Sequence, residues 1–264
     1  MEVVVLASGS KGNATYIATP KTKILIDAGI SMLQIKSRLQ NQGISLTTLD
    51  GIFISHEHVD HVHYLASILA RTKATLYISE ESYHKINTKT NNSLLPYPTV
   101  FIKMDTKYTL NDLVVVPARL SHDSVCIFGY LLKQLETDQN ISFASITDTG
   151  FIPEKYLPIL ASIKVLMIES NHDVEMLMES RRPWPLINRI LSERGHMSNE
   201  TCAQYLTKIT NPRTKQVILA HLSEECNTEE MARLACYKMM GEDLKFELTV
   251  AEQYVELPLI KVDD

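Results

Sequence analysis

Short apolar runs recur along the chain, and most of them end in a knot of His, Asp, Ser or Asn. Runs at 3–7, 15–18, 23–29, 51–58, 75–79, 113–120, 126–132, 141–150, 164–170 and 216–223 have the length and the β-branched content of strands. The first and third, with those at 51–58 and 164–170, carry little polar alternation and predict strands covered on both faces. Between them, apolar residues return at helical spacing over 30–43, where Gly43 supplies a stop, and over 61–71, 183–193, 198–209 and 227–240. The stretches 246–250 and 253–257 suggest a closing hairpin, and 87–98 reads as a surface connection. Strands alternating with helices predict an α/β fold. In such folds, sites collect in the loops beyond strand ends, where a rigid sheet fixes them.

Composition narrows this picture without redirecting it. The 264 residues are 45% hydrophobic and 22% charged, enough for a buried core and too apolar for a disordered chain. We expect one domain over 1–264. The net charge of −5 gives no global positive field, so a phosphate-bearing substrate would need a local site. The first residues lack the pattern of a signal peptide, and no run of about 18 apolar residues offers a membrane span. Cys126, Cys202, Cys226 and Cys236 form no CxxC pair. Free thiols in a reducing cytoplasm are the expectation.

The chemistry concentrates in SHEHVDH, residues 55–61. Alternate residues of an extended strand share a side, so His56 and His58 can face one ion. The chain then turns, and Asp60 and His61 can face a neighbouring one. Neutral imidazole and carboxylate are the donors that borderline divalent metals take. Packing alone does not account for three histidines and an aspartate within six residues.

The run resembles the HxHxDH signature of the metallo-β-lactamase superfamily. The resemblance implies an αββα four-layer sandwich and further ligands at later strand ends. It places His56, His58 and His122 on one metal, Asp60, His61 and His221 on a second, and Asp148 between them. Asp27, in LIDAG, matches the aspartate that orients the site. Five strings in order, LASGSKGN (6–13), SHEHVDH (55–61), ESNHD (169–173), GHMSN (195–199) and HLSEECN (221–227), are similar to the YycJ/WalJ-like branch, whose members are regarded as DNA exonucleases. His63 and Tyr64 after the DH pair, Cys226 and Lys11 depart from the branch pattern, which leaves substrate preference open.

The resemblance therefore implies a two-metal phosphodiesterase using a hydroxide held between zinc or manganese ions. DNA is a better expected substrate than RNA, and the expected direction is 5′-to-3′. A hydrolase of a small cyclic phosphodiester, a thioester or a lactone is the alternative. Asp60 and Asp148 would help to orient the water and take its proton. His196 would bind near the scissile phosphate or protonate the leaving oxygen. Its neighbours Ser198 and Asn199 could touch substrate or could begin a helix. Ser8, Ser10 and Asn13 lie in a loop with the makings of an anion nest. Glu169, Asn171, His172 and Asp173 are candidates to support the ligating histidines. Arg181, Arg182, Arg189 and Arg194 form a basic group that would suit a nucleic-acid backbone. His63 and His84 are read as bystanders, and the oligomeric state stays open.

Overall fold

The computed structural model describes residues 1–135 and 140–262. Among these residues the strands form two seven-stranded sheets. The first contains β1 (Glu2–Ala7), β2 (Ala14–Ala18), β3 (Lys23–Ile26), β4 (Gly51–Phe53), β5 (Thr75–Ile78) and β6 (Thr99–Phe101) in sequence order, with the last strand, β14 (Ile260–Lys261), outside β1. β1 to β3 run antiparallel, and β3 to β6 run parallel. The parallel strands need crossovers, which are α1 (Met32–Asn41), α2 (Val59–Val62), α3 (Leu65–Thr72) and α4 (Glu80–Lys89). The second sheet holds β7 (Tyr108–Leu110), β8 (Leu113–Arg119), β9 (Phe128–Gln134), β10 (Phe143–Ile146), β11 (Val165–Glu169), β12 (Gln216–Ala220) and β13 (Glu247–Val250). Its helices are α5 (Leu157–Leu160), α6 (Val174–Glu179), α7 (Trp184–Leu191), α8 (Asn199–Ile209) and α9 (Glu229–Met240).

The continuous apolar strands are explained by burial on both faces. Val3 and Val5 of β1 meet Leu113, Val115 and Met167 of the facing sheet. The residue between them, Val4, turns outward with Leu6 onto Ile35 and Leu39 of α1 and Ile68 of α3. On the far side, Leu166, Ile168 and Leu219 meet Leu206 of α8 and Cys236 of α9. The layers are thus helix, sheet, sheet, helix. Truncating one of these fully covered side chains to alanine costs about 2–5 kcal/mol.

Three expectations from the sequence change. The helix expected over 61–71 is two, α2 and α3, broken at His63 and Tyr64. The segment 87–98 begins inside α4, which the apolar spacing did not reveal because only Tyr83 and Ile86 are its buried apolar residues. Its start was marked by Ser79, whose side chain accepts from Ser82 N with Glu80 and Glu81 in the first turn. The closing hairpin is absent: β13 pairs parallel with β12 and stops at Val250. The chain then crosses to the other sheet, where Leu257 N donates to Val5 O at 2.9 Å and β14 pairs antiparallel with β1. Periodicity could not tell this crossing from a strand.

Candidate metal centre

β4 stops at Phe53, and the extended segment that follows brings His56 and His58 to one side before α2 begins. One ligand atom each from His56, His58 and His122 lie within 4.8 Å of one another. The same spacing joins Asp60, His61, Asp148 and His221. His61 Nε2 is 3.2 Å from Asp60 Oδ2 and 3.5 Å from Asp148 Oδ2. His221 Nε2 is 3.4 Å from Asp148 Oδ1. The His56 and His61 ring centroids are 4.2 Å apart, so the two groups adjoin.

Three of these side chains depend on an uncommon backbone. Asp27, Asp148 and His221 follow strand ends with φ of 62°, 59° and 58°. The left-handed region costs a residue other than glycine on the order of 1–3 kcal/mol and persists only where the surroundings impose it. Here they do: Asp27 N donates to Phe53 O at 2.9 Å, and His221 N donates to Ser8 Oγ at 2.8 Å. The turns swing the side chains off the sheet ends into the common space.

Acceptors behind the histidines set their tautomers. Asp27 accepts from Ser55 N and from His61 Nδ1, both at 2.8 Å. Glu169 Oε1 accepts from His221 Nδ1 at 3.0 Å, and Gly195 O accepts from His122 Nδ1 at 3.1 Å. A carboxylate or carbonyl can only accept, so in each ring Nδ1 carries a hydrogen and Nε2 is the inward atom that a cation would take in place of a proton.

The inward atoms fit divalent cations. His56 Nε2, His221 Nε2 and Asp148 Oδ2 are buried with no hydrogen-bond partner. Such orphans are costly unless something binds them. The charge balance agrees. Burial works against the charged form of Asp60, yet His61 and His221 hold its carboxyl far below the usual range. Burial disfavours the His61 imidazolium too, but Asp60, Asp148 and Asp27 push its pKa well up. His221, against burial, is pushed up to about 10 by Asp148, Asp60 and Glu169. For His56, burial and the neighbouring His61 outweigh Asp148 and drive it well down. The carboxylates here call for positive charge, which protons supply when no cation does.

Other residues singled out from the sequence fall differently. Asn13 does not face open space: its Nδ2 donates to Gly9 O and lies 3.2 Å from Asp60 Oδ2. Ser8 is buried under His221. The anion nest is not available, because Ser8 N, Gly9 N, Lys11 N, Gly12 N and Asn13 N already donate within the protein. Of that loop, Ser10 alone lines the cleft over the site. Ser198 and Asn199 do not line the cleft. Ser198 caps α8, and Asn199 is locked to Ser170 and Asn227. His172 is buried, with Nδ1 3.3 Å from Asn171 Oδ1, and makes no hydrogen bond to a ligating histidine. Asn171 Nδ2 does support the site, donating to His221 O at 2.7 Å, and Asp173 caps α6. His63 and His84 are exposed, outside every such group among the described residues.

Glu169, buried at the end of β11, is the pivot. It also accepts from His196 Nδ1 at 2.7 Å and from Thr149 N at 2.7 Å. Against burial, His196 and His221 bring its pKa down to about 2. Above the site opens a cleft of about 430 Å³, walled by His196, Asp123, Arg182 and Arg189. Asp123 was missed in the sequence. It lies 3.2 Å from His122 Nε2 and 3.0 Å from Arg189 Nη1, and the run SHDS was its only signal.

A family described as the β-lactamase superfamily domain matches residues 22–222. The chain is 32% identical to exodeoxyribonuclease YycJ of Bacillus anthracis, covering 90% of this chain and 88% of that one. It is 34% identical to exodeoxyribonuclease WalJ of Streptococcus pneumoniae, covering 90% and 87%. Among solved structures, the metallo-β-lactamase fold protein YhfI of Bacillus subtilis superposes with a TM-score of 0.70 at 14% identity, covering 97% of this chain and 98% of that one. With the family match, the two-sheet sandwich and the histidine–aspartate clusters in agreement, the chain belongs to the metallo-β-lactamase superfamily.

Proposed function

We propose that the protein, acting as one domain over residues 1–264, is a divalent-metal-dependent phosphodiesterase that degrades DNA from its 5′ end. The observation that carries this reading is the pair of adjoining clusters, with unpartnered buried donors, beneath a cleft walled by Arg182 and Arg189. The substrate class comes from relatives named exodeoxyribonucleases, which match nearly the whole chain. His56, His58 and His122 would hold one cation, Asp60, His61 and His221 a second, and Asp148 would serve both. Zinc and manganese both suit this donor set. When bound, such cations supply Lewis acidity to phosphoryl oxygens and lower the pKa of a water.

The chain's own groups do the rest. Asp60 and Asp148 orient the attacking water and receive its proton. Glu169 fixes His196 through Nδ1, so in its imidazolium form the ring can give the Nε2 proton to the leaving oxygen and return to the neutral state. Arg182 and Arg189, now paired with Glu225 and Asp123, can meet phosphate oxygens. A cytoplasmic setting fits the four free, buried cysteines. No helix among the described residues is long and apolar enough to cross a membrane.

Digestion of DNA labelled at the 5′ or the 3′ end, beside a small phosphodiester and a thioester, tests the reading. Metal-dependent release of 5′-terminal nucleotides is the expected result. Turnover of the thioester alone would refute it. Asp60→Ala and His61→Ala should each lower DNA turnover by at least about a thousandfold while the circular-dichroism spectrum is kept; full activity in either excludes the two-cluster mechanism.

A further inference from the structure

The loop between β8 and β9 carries more than the expected ligand His122. It is held from both sides: Ser121 N donates to Thr149 Oγ1 at 3.3 Å, and Val125 N donates to Glu57 Oε1 at 3.1 Å. Glu57 stands between His56 and His58 in the chain, so this bond ties the loop to the segment that bears two other ligands. Asp123 is thereby set at the wall of the cleft, its side chain 24% exposed. Its two oxygens face different groups. Oδ2 pairs with Arg189 Nη1 at 3.0 Å. Oδ1 lies 3.2 Å from His122 Nε2 and 3.8 Å from His58 Nε2. His122 already donates through Nδ1 to Gly195 O, so its Nε2 and this oxygen need positive charge between them. A proton can join Oδ1 to His122, but 3.8 Å is too long for a hydrogen bond to His58. One divalent cation suits both. Donors about 2.1 Å from a shared ion stand about 3.0 Å apart at right angles and about 3.4 Å apart in a tetrahedron.

We propose that Asp123 is an eighth ligand of the centre, giving Oδ1 to the cation held by His56, His58 and His122 while Arg189 keeps Oδ2. This rests on the two-cluster reading above and deepens it for one of the two sites. The buried His56 Nε2 is an independent observation: it has no hydrogen-bond partner and shares its space with the ligand atoms of His58 and His122. Asp123 is not part of that close trio and approaches from the cleft side. The consequence concerns which cation the site takes. Three imidazoles alone suit zinc. A carboxylate oxygen added from Asp123, beside Asp148 and water, approaches the six-coordinate, oxygen-richer shell that suits manganese. A plain ion pair with Arg189 explains less, because it accounts for Oδ2 and gives Oδ1 no reason to face two imidazole nitrogens. Arg189 has five N–H groups, so holding Asp123 leaves others for a phosphate.

Metal binding tests this without any turnover. The metal-stripped protein takes up manganese or zinc at one fixed pH in competition with a chelator, and the wild type is compared with Asp123→Ala, Asp123→Asn and Arg189→Met. Asp123→Ala should weaken manganese binding at one of two sites about 10–100-fold and zinc binding much less, with the circular-dichroism spectrum kept. Asp123→Asn retains a side-chain oxygen and should recover part of the loss, and Arg189→Met should not reproduce it. Equal weakening of both cations, with asparagine no better than alanine, would show that Asp123 acts through its charge alone and would overturn the ligand. A loss in Arg189→Met as large as that in Asp123→Ala would overturn it too, reducing Asp123 to a partner of Arg189. If two cations bind per chain and Asp123→Ala leaves both affinities unchanged, Asp123 is no ligand and the two-cluster reading stands. If the wild type holds less than one cation per chain, the two-cluster reading falls and the role of Asp123 with it.

Discussion

Glu169 shows how much of the site hangs on a residue outside the seven expected ligands. One buried carboxylate orients His221 on the cation side and His196 on the cleft side. Glu169→Gln keeps the shape but can turn an N–H toward rings that need an acceptor. Metal affinity, read by competition with a chelator, should fall about 10–100-fold, with turnover falling further. Unchanged affinity would remove Glu169 from this role. Far from the site, Asp112 accepts from Thr19 Oγ1 at 2.5 Å and Thr22 Oγ1 at 2.8 Å. Burial works to raise its carboxyl, but these hydroxyls outweigh burial and lower it. A depressed folded pKa gives stability that is present above the unfolded value, about 3.9, and lost as pH falls through the folded one. Asp112→Ala should therefore cost about 1–3 kcal/mol at neutral pH and flatten the loss of stability in acid, as denaturant melts at several pH values would show. At this scale the sequence was most legible where residues cluster or end a strand, as at His56–His61 and Asp148. Gln253 was not legible, although its Oε1 accepts from Lys11 N at 2.7 Å and its Nε2 donates to Gly12 O at 2.8 Å. Contacts across some 240 positions leave no local pattern.

At the level of elements, the loops matter as much as the strands they join. Gly29 sits where a Cβ would come within 1.8 Å of Asp60 O and 2.5 Å of Asn13 N, both backbone atoms that cannot swing aside. Gly29→Ala should push the Asp60 loop outward, lowering both melting temperature and metal content; a variant that keeps both would show that the loop has slack. The strands were readable because burial on two faces leaves continuous apolar runs, and the longer helices because Ile35 and Leu39, or Cys202 and Leu206, recur at helical spacing. Short edge strands escaped: β6 and β7 have three residues each, too few for a period, and little of their surface is covered. The loop at 8–13 was read for its small residues as an anion cradle. Its amides instead serve the fold, a use that depends on partners from Asp60 and Gln253.

For the molecule as a whole, both sheets contribute to the site, so cation binding and folding are linked. In the metal-free protein the raised His61 and His221 contribute stability fully present below the ordinary imidazole value, about 6.5, and lost as pH rises toward their folded values. Asp60 and Asp148, held low, contribute only above about 4. The metal-free melting temperature should thus be highest between these limits and decline in alkali. Cation uptake must displace the imidazole protons, so apparent affinity should strengthen up to about tenfold per pH unit for each proton released, and chelation should lower the melting temperature most above pH 7. A metal-free curve that stays flat from pH 6 to 9 would contradict this. The crossing after Val250 adds a matter of timing. A ribosome finishes His56–His61 long before His221, and later still the segment whose Gln253 pins the 8–13 loop and whose Tyr254 carbonyl receives Arg38 at 2.8 Å. A nascent chain therefore displays its histidines well before it can seat them, and the centre can close only once that later stretch has emerged.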